Sequence, residues 1–542
     1  MLTAGLAWNA EAPKPAADPR LLSVYPSVVR AGVVTQLLVR GSALGGARAV
    51  VFKAEGLSAR VLGADKDEAV RIELAAPAKG NHAFRLVAAG GVSNEVPLRV
   101  VEEEIVEEST LAATPINRLP LVVAGKLSAR GEIDTIWLEA KAGETITFSC
   151  AAGTTGFDPS LVLVEPSGSW FDEGRLNRIA FNDEPLHFPG LSQDARLVHR
   201  FERSGRYAIQ VRAFAGQGGP DFTYQLRMAP GIGEVPRLHP PLSSRWDERR
   251  FVRPLSGEWI ASLGQRGGRV LETPQAPVFR AVAAAAGEDD TGTPVMTAPG
   301  VVEGRIGKPA EVHRIRLRVD APQDLVIEVE TPEATMPRFN PVVRLMAPGG
   351  GGEVVTNVYT KRNNNGLYMM KMIQAKSTFT LRSPGEYLME IRDITTDVAG
   401  DDFAYRVLVR PQIPHVGKAE VAEDHLNLEA GQAKALTVNL EREEGFAGLV
   451  LLAAEGLPPG VTATAGMANP VEKPPLPNGG RLERYVGKPQ TATLLLSAAD
   501  DAAPSALPVP VRIVLRTVNG GRASSPILLK EIPVMVVPRR PS

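Results

Sequence analysis

The chain has 542 residues, more than one hydrophobic core supports, which predicts about three to five domains. Hydrophobic residues make up 44% of it, enough for globular folding, and this excludes general disorder. Sixty lysines and arginines almost cancel 61 aspartates and glutamates, so no overall field favours nucleic acid or anionic lipid as a partner. No segment reaches the length of an apolar membrane span.

Glycine and proline occur along the whole chain, with 52 and 45 copies respectively. Turns at this frequency favour short strands over long helices. The sequence therefore predicts an all-β protein, a multidomain string of antiparallel β-sandwiches.

Residues 1–19 form a leader. Leu2–Trp8 is a short apolar run, and Ala10-Glu11-Ala12 fits the A-x-A pattern of a signal-peptidase site. A positively charged n-region is missing and the apolar run is short. The leader is either the remnant of a signal peptide behind a misassigned start or a start without meaning. We expect the first, and with it a secreted or periplasmic location.

Residues 20–101 alternate short apolar strands with glycine-bounded turns, among them Gly32–Gly41 and His82–Ala88. About seven strands in this length predict an immunoglobulin-like sandwich. The opening LLSVYPSVVRAGVVTQLLVRG resembles that of TIG-type immunoglobulin-like domains. The acidic run Glu102–Glu108 then opens a segment, 102–118, that could be an acidic metal or partner site. A solvated linker is the prediction.

The next two domains are copies of each other. Val122–Leu138 aligns without a gap on Val301–Leu317, and Gly205-Arg206-Tyr207 corresponds to Gly385-Glu386-Tyr387. The repeat places one copy at 119–230 and the second at 300–414, which is domain-sized. Alternation after each Gly-x-Tyr predicts a half-buried strand, with Tyr207, Ile209 and Val211 facing the core.

Copy one, from FDPSLVLVEPSG through DARLVHRFERSGRYAIQVRAF to DFTYQL, resembles the bacterial pre-peptidase C-terminal (PPC) domain. The resemblance covers about 120–230 well and about 300–410 less well. It implies jelly-roll-like β-sandwiches of the kind appended to secreted bacterial peptidases and related to the collagen-binding domains of bacterial collagenases. Export follows as an expectation.

Two regions complete the chain. Residues 231–299 are either an ordered spacer or a small degenerate β-domain. Residues 418–542 are predicted as a C-terminal immunoglobulin-like domain, because strand runs recur at sandwich spacing around a Gly-Leu-Pro-Pro-Gly-Val segment at Gly456–Val461.

Copy one gathers hard oxygen donors in its expected loops, and calcium prefers six to eight such ligands. The candidates are Asp158, Asn182, Asp183 and Asp194. The collagenase relatives bind calcium, although Asn182-Asp183-Glu184 departs from the family's Asn-Asp-Asp. The alternative is that these residues only bond the backbone of their turns. Copy two has Lys361-Arg362 at the aligned place, so calcium is expected in copy one only, and no cofactor is required.

Aromatic residues are scarce, and Trp170-Phe171 is the one candidate for an exposed ligand-binding platform. The alternative is that the pair folds back to cap the sandwich. Cys150 is the only cysteine, and its place in the strand-like run Thr145–Cys150 predicts a buried structural thiol.

No sequence motif of a catalytic site occurs, so we expect no enzyme. The expected function is an exported protein that binds or presents ligands at the bacterial cell envelope or outside the cell, with an extracellular protein or polysaccharide as partner. The alternative is the accessory part of a secreted peptidase or hydrolase system, with copy one binding a protein such as collagen.

Overall fold

A computed structural model describes the chain from residue 18 to residue 539 with gaps. The residues outside the description are 1–17, 54, 66, 112–114, 155, 167–175, 183–193, 214, 233–275, 285–291, 332–338, 340, 363–368, 374–375, 395–398, 401–402, 471–489 and 540–542. In the described part the protein is all-β, as predicted, and its only helical segments are short 3-10 turns. Its 41 strands form eight sheets of four to six strands and one two-stranded hairpin. The sheets group into four β-sandwiches.

Sandwich 1 has the strand order of an immunoglobulin fold. Its strands are β1 (Arg20–Tyr25), β2 (Val28–Arg30), β3 (Thr35–Ser42), β4 (Ala49–Phe52), β5 (Ser58–Asp65), β6 (Ala69–Ala75), β7 (Gly80–Ala88), β8 (Gly91–Val92) and β9 (Val96–Val101). One sheet runs β1-β3-β6-β5 and the other β2-β9-β7-β4, with β8 on β7. The sequence pattern missed β5, because a register shift beside Gly63 interrupts its alternation.

Sandwich 2 is a jelly roll with one extra strand. Its strands are β10 (Glu104–Glu107), β11 (Leu121–Lys126), β12 (Ile133–Ala140), β13 (Thr145–Ala152), β14 (Pro159–Pro166), β15 (Leu176–Asn182), β16 (Ala195–Arg200), β17 (Gly205–Ala213) and β18 (Thr223–Pro230). Sheet 2a runs β10-β11-β18-β13-β16, and sheet 2b runs β12-β17-β14-β15. As the alternation predicts, Tyr207, Ile209 and Val211 are buried between the sheets. Cys150 is buried with them, and burial raises the pKa of its thiol, which fits a structural role.

Sandwich 3 repeats that topology. Its strands are β19 (Val278–Arg280), β20 (Val282–Ala284), β21 (Val295–Thr297), β22 (Gly300–Arg305), β23 (Val312–Val319), β24 (Gln323–Glu330), β25 (Pro341–Met346), β26 (Glu353–Thr356), β27 (Val358–Arg362), β28 (Met369–Ile373), β29 (Lys376–Leu381), β30 (Gly385–Asp393) and β31 (Ala404–Pro411). Sheet 3a runs β19-β22-β31-β24-β29, and sheet 3b runs β20-β23-β30-β25-β26 with β21 also on β23. The hairpin β27-β28 stands apart from both sheets.

The shared register explains a glycine that both copies keep. Gly125 lies opposite Tyr224, and Gly304 lies opposite Tyr405. A Cβ atom at Gly125 would come within 2.2 Å of the Tyr224 ring, and one at Gly304 within 2.3 Å of the Tyr405 hydroxyl. The buried tyrosine therefore requires glycine on the neighbouring strand.

Sandwich 4 again has an immunoglobulin strand order. Its strands are β32 (His415–Val421), β33 (Leu426–Glu429), β34 (Ala433–Glu443), β35 (Leu449–Glu455), β36 (Val461–Ala463), β37 (Gly466–Ala468), β38 (Gln490–Ala498), β39 (Val509–Asn519), β40 (Arg522–Ala523) and β41 (Ile527–Val537). The sheets run β32-β34-β38-β36 and β33-β41-β39-β35-β37, with β40 on β39.

The acidic run is not a solvated linker, which corrects the prediction for 102–118. It contains β10, which pairs in parallel with β11 of sheet 2a. Between the glutamates, Val106 packs against the core of sandwich 2 and Ile105 against a cluster shared with sandwich 1. Glu103 pairs with Arg227 at 2.8 Å. Apolar residues on both faces of β10 and a cation that pairs with Glu103 make this charge run an edge strand.

The C-terminal part of the region 231–299 is also no separate unit. β19, β20 and β21 join the two sheets of sandwich 3, so residues 276–299 belong to the second copy apart from the gap at 285–291. Residues 233–275 lie outside the described residues, and both interpretations of that part stay open.

The sandwiches do not follow one another in space as they do in sequence. Val28 and Val101 of sandwich 1 pack on Val122 and Ala124 of sandwich 2. Val87 and Val92 of sandwich 1 pack on Met535 and Val537 of sandwich 4. Sandwich 4 joins sandwich 3 through buried ion pairs at Arg410. The contacts therefore give the order 2-1-4-3, with the two immunoglobulin-like sandwiches in the middle.

Replacing Asn427 with alanine is expected to loosen the contact between sandwiches 1 and 4. Its buried amide accepts a hydrogen bond from Val92 N and donates one to Val92 O, both at 2.9 Å. Alanine would leave two buried backbone groups unpaired, which costs about 1–3 kcal/mol for each group. Calorimetric unfolding should show a lowered transition for these two sandwiches. Asn439→Ala, at an exposed position of sandwich 4, is the control, and equal transitions for both variants would contradict the prediction.

Candidate functional site

The structure places three of the four predicted calcium ligands around the end of sandwich 2. Asn182 ends β15, and its amide donates to Arg196 O at 2.6 Å, which links sheet 2b to sheet 2a. Asp194 precedes β16 and accepts a hydrogen bond from Ala152 N at 3.1 Å. Asp158 immediately precedes β14. Asp183 lies outside the described residues, so the complete calcium set stays a prediction.

The register corrects the expected counterpart of Asn182 in copy two. Asn182 lies opposite Leu161, and the equivalent position opposite Val343 is Asn357, not the segment at Lys361-Arg362. The Asn357 side chain is buried and bonds the backbone of β25, accepting from Val343 N at 2.8 Å and donating to Pro341 O at 3.0 Å. Both asparagines bond the backbone of another strand. Sequence alignment misplaced the pair because the β14–β15 and β25–β26 connections differ in length.

Trp170 and Phe171 lie outside the described residues, so the aromatic platform also stays a prediction. The connection that carries them joins β14 to β15. Both strands contribute residues to the groove of sheet 2b.

A groove of about 690 Å³ lies on the face of sheet 2b that is turned away from the core. Its floor is apolar, since Val162, Val164 and Ala208 form a small buried cluster there with Trp137 and Leu176 packed against it. The lining residues are Gly131, Glu132, Ile133, Ser160, Val162, Val164, Leu176, Arg178, Phe181, Gln210, Arg212, Ala213 and Gly216. Ligand sites are commonly apolar concavities with a few placed polar groups, which is the composition found here.

Exposed apolar and cationic groups stand at the groove. Phe181 on β15 and Ile133 on β12 are 47% and 44% exposed. Arg178 is exposed and pairs with no carboxylate among the described residues. Arg212 donates to Gln210 Oε1, but its Nε atom is buried and has no hydrogen-bond partner.

On the equivalent outer face of sandwich 3, charged side chains pair with each other. Arg344 and Glu353 occupy the places of Val162 and Arg178, and they pair with each other. Arg316 replaces Trp137 and pairs with Glu386 at 2.9 Å. Two further pairs on this face are Arg314–Glu390 and Arg318–Glu386. Four arginines on this face of copy two thus pair with glutamates, whereas copy one leaves apolar and cationic groups open.

One cluster of possible metal ligands occurs in the described part of the chain, at His415, Glu443 and Glu444. Lys376 already contacts both glutamates, each at 2.5 Å, and Arg410 binds Glu444 in bidentate fashion at 2.8 Å. These cations compensate the carboxylates. The cluster therefore serves the contact between sandwiches 3 and 4 and is not prepared for a metal ion.

Asp221, two residues before β18, serves a domain contact as well. Its Oδ1 atom accepts a hydrogen bond from Ser23 Oγ at 2.6 Å and pairs with Arg40 Nε at 3.1 Å, both on sandwich 1. The carboxylate is thus committed to the packing of sandwiches 1 and 2.

Among the described residues, no helix is long and apolar enough to span a bilayer.

Neither a family model nor a curated protein matches the chain. Solved structures that it resembles include the secreted serine protease VesC from Vibrio cholerae, at 9% identity and a TM-score of 0.15 over 40% of this chain and 48% of that one. The surface layer protein SbsC, domains 1–6, matches at 9% identity and a TM-score of 0.15 over 97% and 55%.

The tandem CBM22 domains of Paenibacillus barcinonensis Xyn10C match at 9% identity and a TM-score of 0.12 over 70% of this chain and 98% of theirs. The chain spans about half the length of the first two proteins. Identities and TM-scores this low assign neither a family nor a function, and the chain stands as a multidomain protein of β-sandwiches.

Proposed function

We propose that this is an exported, non-catalytic binding protein of the bacterial envelope or exterior, and that the groove of sandwich 2 binds an extended polypeptide. The observation that carries the proposal is the difference between the equivalent outer faces of the two copies. Sandwich 3 pairs its arginines and glutamates across the face, whereas sandwich 2 exposes Phe181 and Arg178 beside an apolar floor.

The ligand chemistry follows from the lining. An apolar floor with an exposed phenylalanine favours apolar side chains, and aromatic and arginine anchors carry much of the energy at protein interfaces. Arg178, which is exposed and pairs with no carboxylate among the described residues, favours an acidic side chain in the ligand. An extended peptide that carries both apolar and acidic side chains satisfies these groups. Export is supported by the A-x-A pattern of the leader and the PPC resemblance of the repeat.

The double substitution Phe181→Ser and Arg178→Ser is expected to weaken peptide binding about tenfold or more, because it removes an aromatic anchor and a cation together. Fluorescence anisotropy with acidic, neutral and basic dodecapeptides measures this, with the acidic apolar peptides bound best. Glu353→Ser, at the equivalent place in sandwich 3, is the matched control and should leave binding unchanged. If the double variant and the parent protein bound the peptides with equal affinity, peptide binding in the groove would be refuted.

The accessory-module alternative is tested in the same experiment with fibrillar collagen as a further ligand. Binding is measured with calcium and with a chelator, since Asp158, Asn182, Asp183 and Asp194 are the proposed calcium set. Collagen binding that requires calcium and is unaffected by the Phe181 and Arg178 changes would favour the alternative. Cleavage of any peptide, lost on replacing one serine, histidine or aspartate, would contradict the non-catalytic proposal. Fractionation of the native protein into the cytoplasm alone would contradict export.

A further inference from the structure

The edge of sheet 2b at β12 differs between the two copies. In sandwich 3, β20 pairs antiparallel with the first half of β23, placing Val282 opposite Arg314 and Ala284 opposite Val312. The equivalent positions in sandwich 2 are Thr135 and Ile133 on β12. On the side of β12 that is turned away from β17, no described residue pairs with Ile133 or Thr135. Within the described residues, copy one therefore has an open sheet edge where copy two is covered by its own β20.

The backbone groups of that edge face outward. Further along β12, Trp137 O accepts from Ile116 N at 2.8 Å and Glu139 N donates to Ile116 O at 3.1 Å, both on the side away from β17. In a strand the backbone groups alternate sides with a period of two, so those of Thr135 and Ile133 point the same way. Arg316 N of copy two, equivalent to Trp137, also bonds outward, to Pro294 O at 2.8 Å.

The length of the connection after β10 explains why it supplies no strand like β20. Val106 and Phe279 occupy equivalent positions on β10 and β19, and Ile116 and Met296 are equivalent on β12 and β23. Ile116 follows Val106 by ten positions in the sequence, whereas Met296 follows Phe279 by seventeen. The shorter connection begins with a 3-10 turn at Glu108–Thr110 instead of a strand. It lacks the length for a strand and its return.

Resting on the proposed function, we propose that the partner polypeptide binds by strand addition, pairing antiparallel with β12 at Ile133–Thr135 as β20 pairs with β23. Main-chain hydrogen bonds supply the affinity in this mode and alternate side chains supply the specificity. The groove adjoins the edge, since Ile133 lines it and lies opposite Arg212 on β17. Strands lie about 4.8 Å apart, so a glutamate of the added strand opposite Ile133 comes within reach of Arg212.

The partner is therefore an extended segment with β-forming apolar residues and an acidic side chain on its groove face. A small residue is required opposite Asp134, as Ala283 lies opposite His313 in copy two. The first probe is a fluorescent synthetic peptide with the sequence of residues 279–289 and a glutamate at the position of Ala284, FRAVAEAAGED, which contains β20 and places an acidic side chain opposite Ile133.

Three versions of the probe test the hydrogen bonds without altering the protein. N-methylation at the positions of Val282 and Ala284 removes the donors that face the edge and should weaken binding about tenfold or more. N-methylation at Ala283 removes a donor that faces away and should leave binding unchanged. In the protein, Thr135→Pro should abolish binding, and proline without its N–H is tolerated at sheet edges.

Equal binding of all three peptides, or binding that persists in Thr135→Pro, would overturn strand addition. If acidic dodecapeptides still bind in a Phe181- and Arg178-dependent manner, the proposed function stands and only its mode is wrong. If no peptide binds at all, both fail. The protein alone could also form a dimer that sedimentation shows to dissociate in Thr135→Pro. That result would mean that the edge binds a second copy of this chain instead of a partner.

Discussion

Replacing Arg410 with alanine is expected to lower the free energy of unfolding of the unit formed by sandwiches 3 and 4 by about 3–5 kcal/mol, because it leaves buried carboxylates uncompensated. Arg410 is fully buried and pairs with Glu328 and with both oxygens of Glu444. Glu444 accepts a further hydrogen bond from Ile413 N at 2.6 Å. The network joins β24 and β31 of sandwich 3 to the end of β34.

In this network the pKa values of Glu328 and Glu444 shift in opposite directions. Burial raises the pKa of Glu328 in spite of Arg410. Burial also opposes the charge of Glu444, but the hydrogen bonds from Arg410 and the charge of Lys376 bring its pKa down to about 2. Glu444→Gln should therefore destabilise more than Glu328→Gln at neutral pH. Since the pKa of Glu444 is depressed from 4.5, its contribution is present above pH 4.5 and lost as the pH falls towards 2.

The stability of sandwiches 3 and 4 in these variants is measured by calorimetry or by hydrogen exchange during chemical denaturation. Arg318→Ala is the control, because Arg318 is an exposed arginine whose pair with Glu386 is solvated and should matter little. An Arg410→Ala protein as stable as the control would show that the buried pairs are not needed for the contact.

The second large effect is an opposite pH dependence of the two copies. In sandwich 2 the Tyr224 hydroxyl donates to Asp134 Oδ2 at 2.7 Å, and in sandwich 3 the equivalent Tyr405 hydroxyl meets His313 Nδ1 at 2.7 Å. Burial raises the pKa of Asp134 to about 7, against the hydrogen bond from Tyr224 and with help from the charges of Glu108 and Glu132. Burial lowers the pKa of His313, against the charge of Glu311.

The signs follow from linkage. Between pH 3.8 and about 7 native sandwich 2 binds more protons than its unfolded chain, so its stability falls as the pH rises through that window. The full loss is roughly 2–4 kcal/mol. In sandwich 3 the native state resists protonation, so its stability falls as the pH drops through 6.5. The difference in stability between the two copies should therefore change across this range, in favour of sandwich 3 as the pH rises.

The single cysteine reports on sandwich 2 alone. Cys150 is 1% exposed in that core, so alkylation of the native protein, corrected for the rate of the unfolded chain, gives the free energy of opening at each pH. Asp134→Asn should flatten the dependence, whatever its effect on absolute stability. A slope that persists in this variant would exclude Asp134 as its source.

The sequence predicted the sandwiches and their repetition, because alternation of apolar residues is a local pattern that needs only one buried face. Tyr207 and Ile209 could be assigned to the core from their own strand. The charge run Glu102–Glu108 was predicted to be a linker because the adjacent apolar residues Ile105 and Val106 were given less weight than the glutamates. The candidate calcium residues were placed near one end of sandwich 2, but pairing Asn182 with Asn357 required the strand register.

Only the tertiary structure decided the groove, the open edge and the order 2-1-4-3. Arg178 and Phe181 look like any exposed residues of a strand, and their meaning depends on Arg344 and Glu353 closing the equivalent face of the other copy. Arg410 resembles a solvent-facing residue in its own strand, yet its burial depends on Glu328 and Glu444, which lie 82 and 34 residues away in the sequence. Strand patterns record which face is buried, whereas a buried charge or an uncovered edge depends on what other segments bring to it.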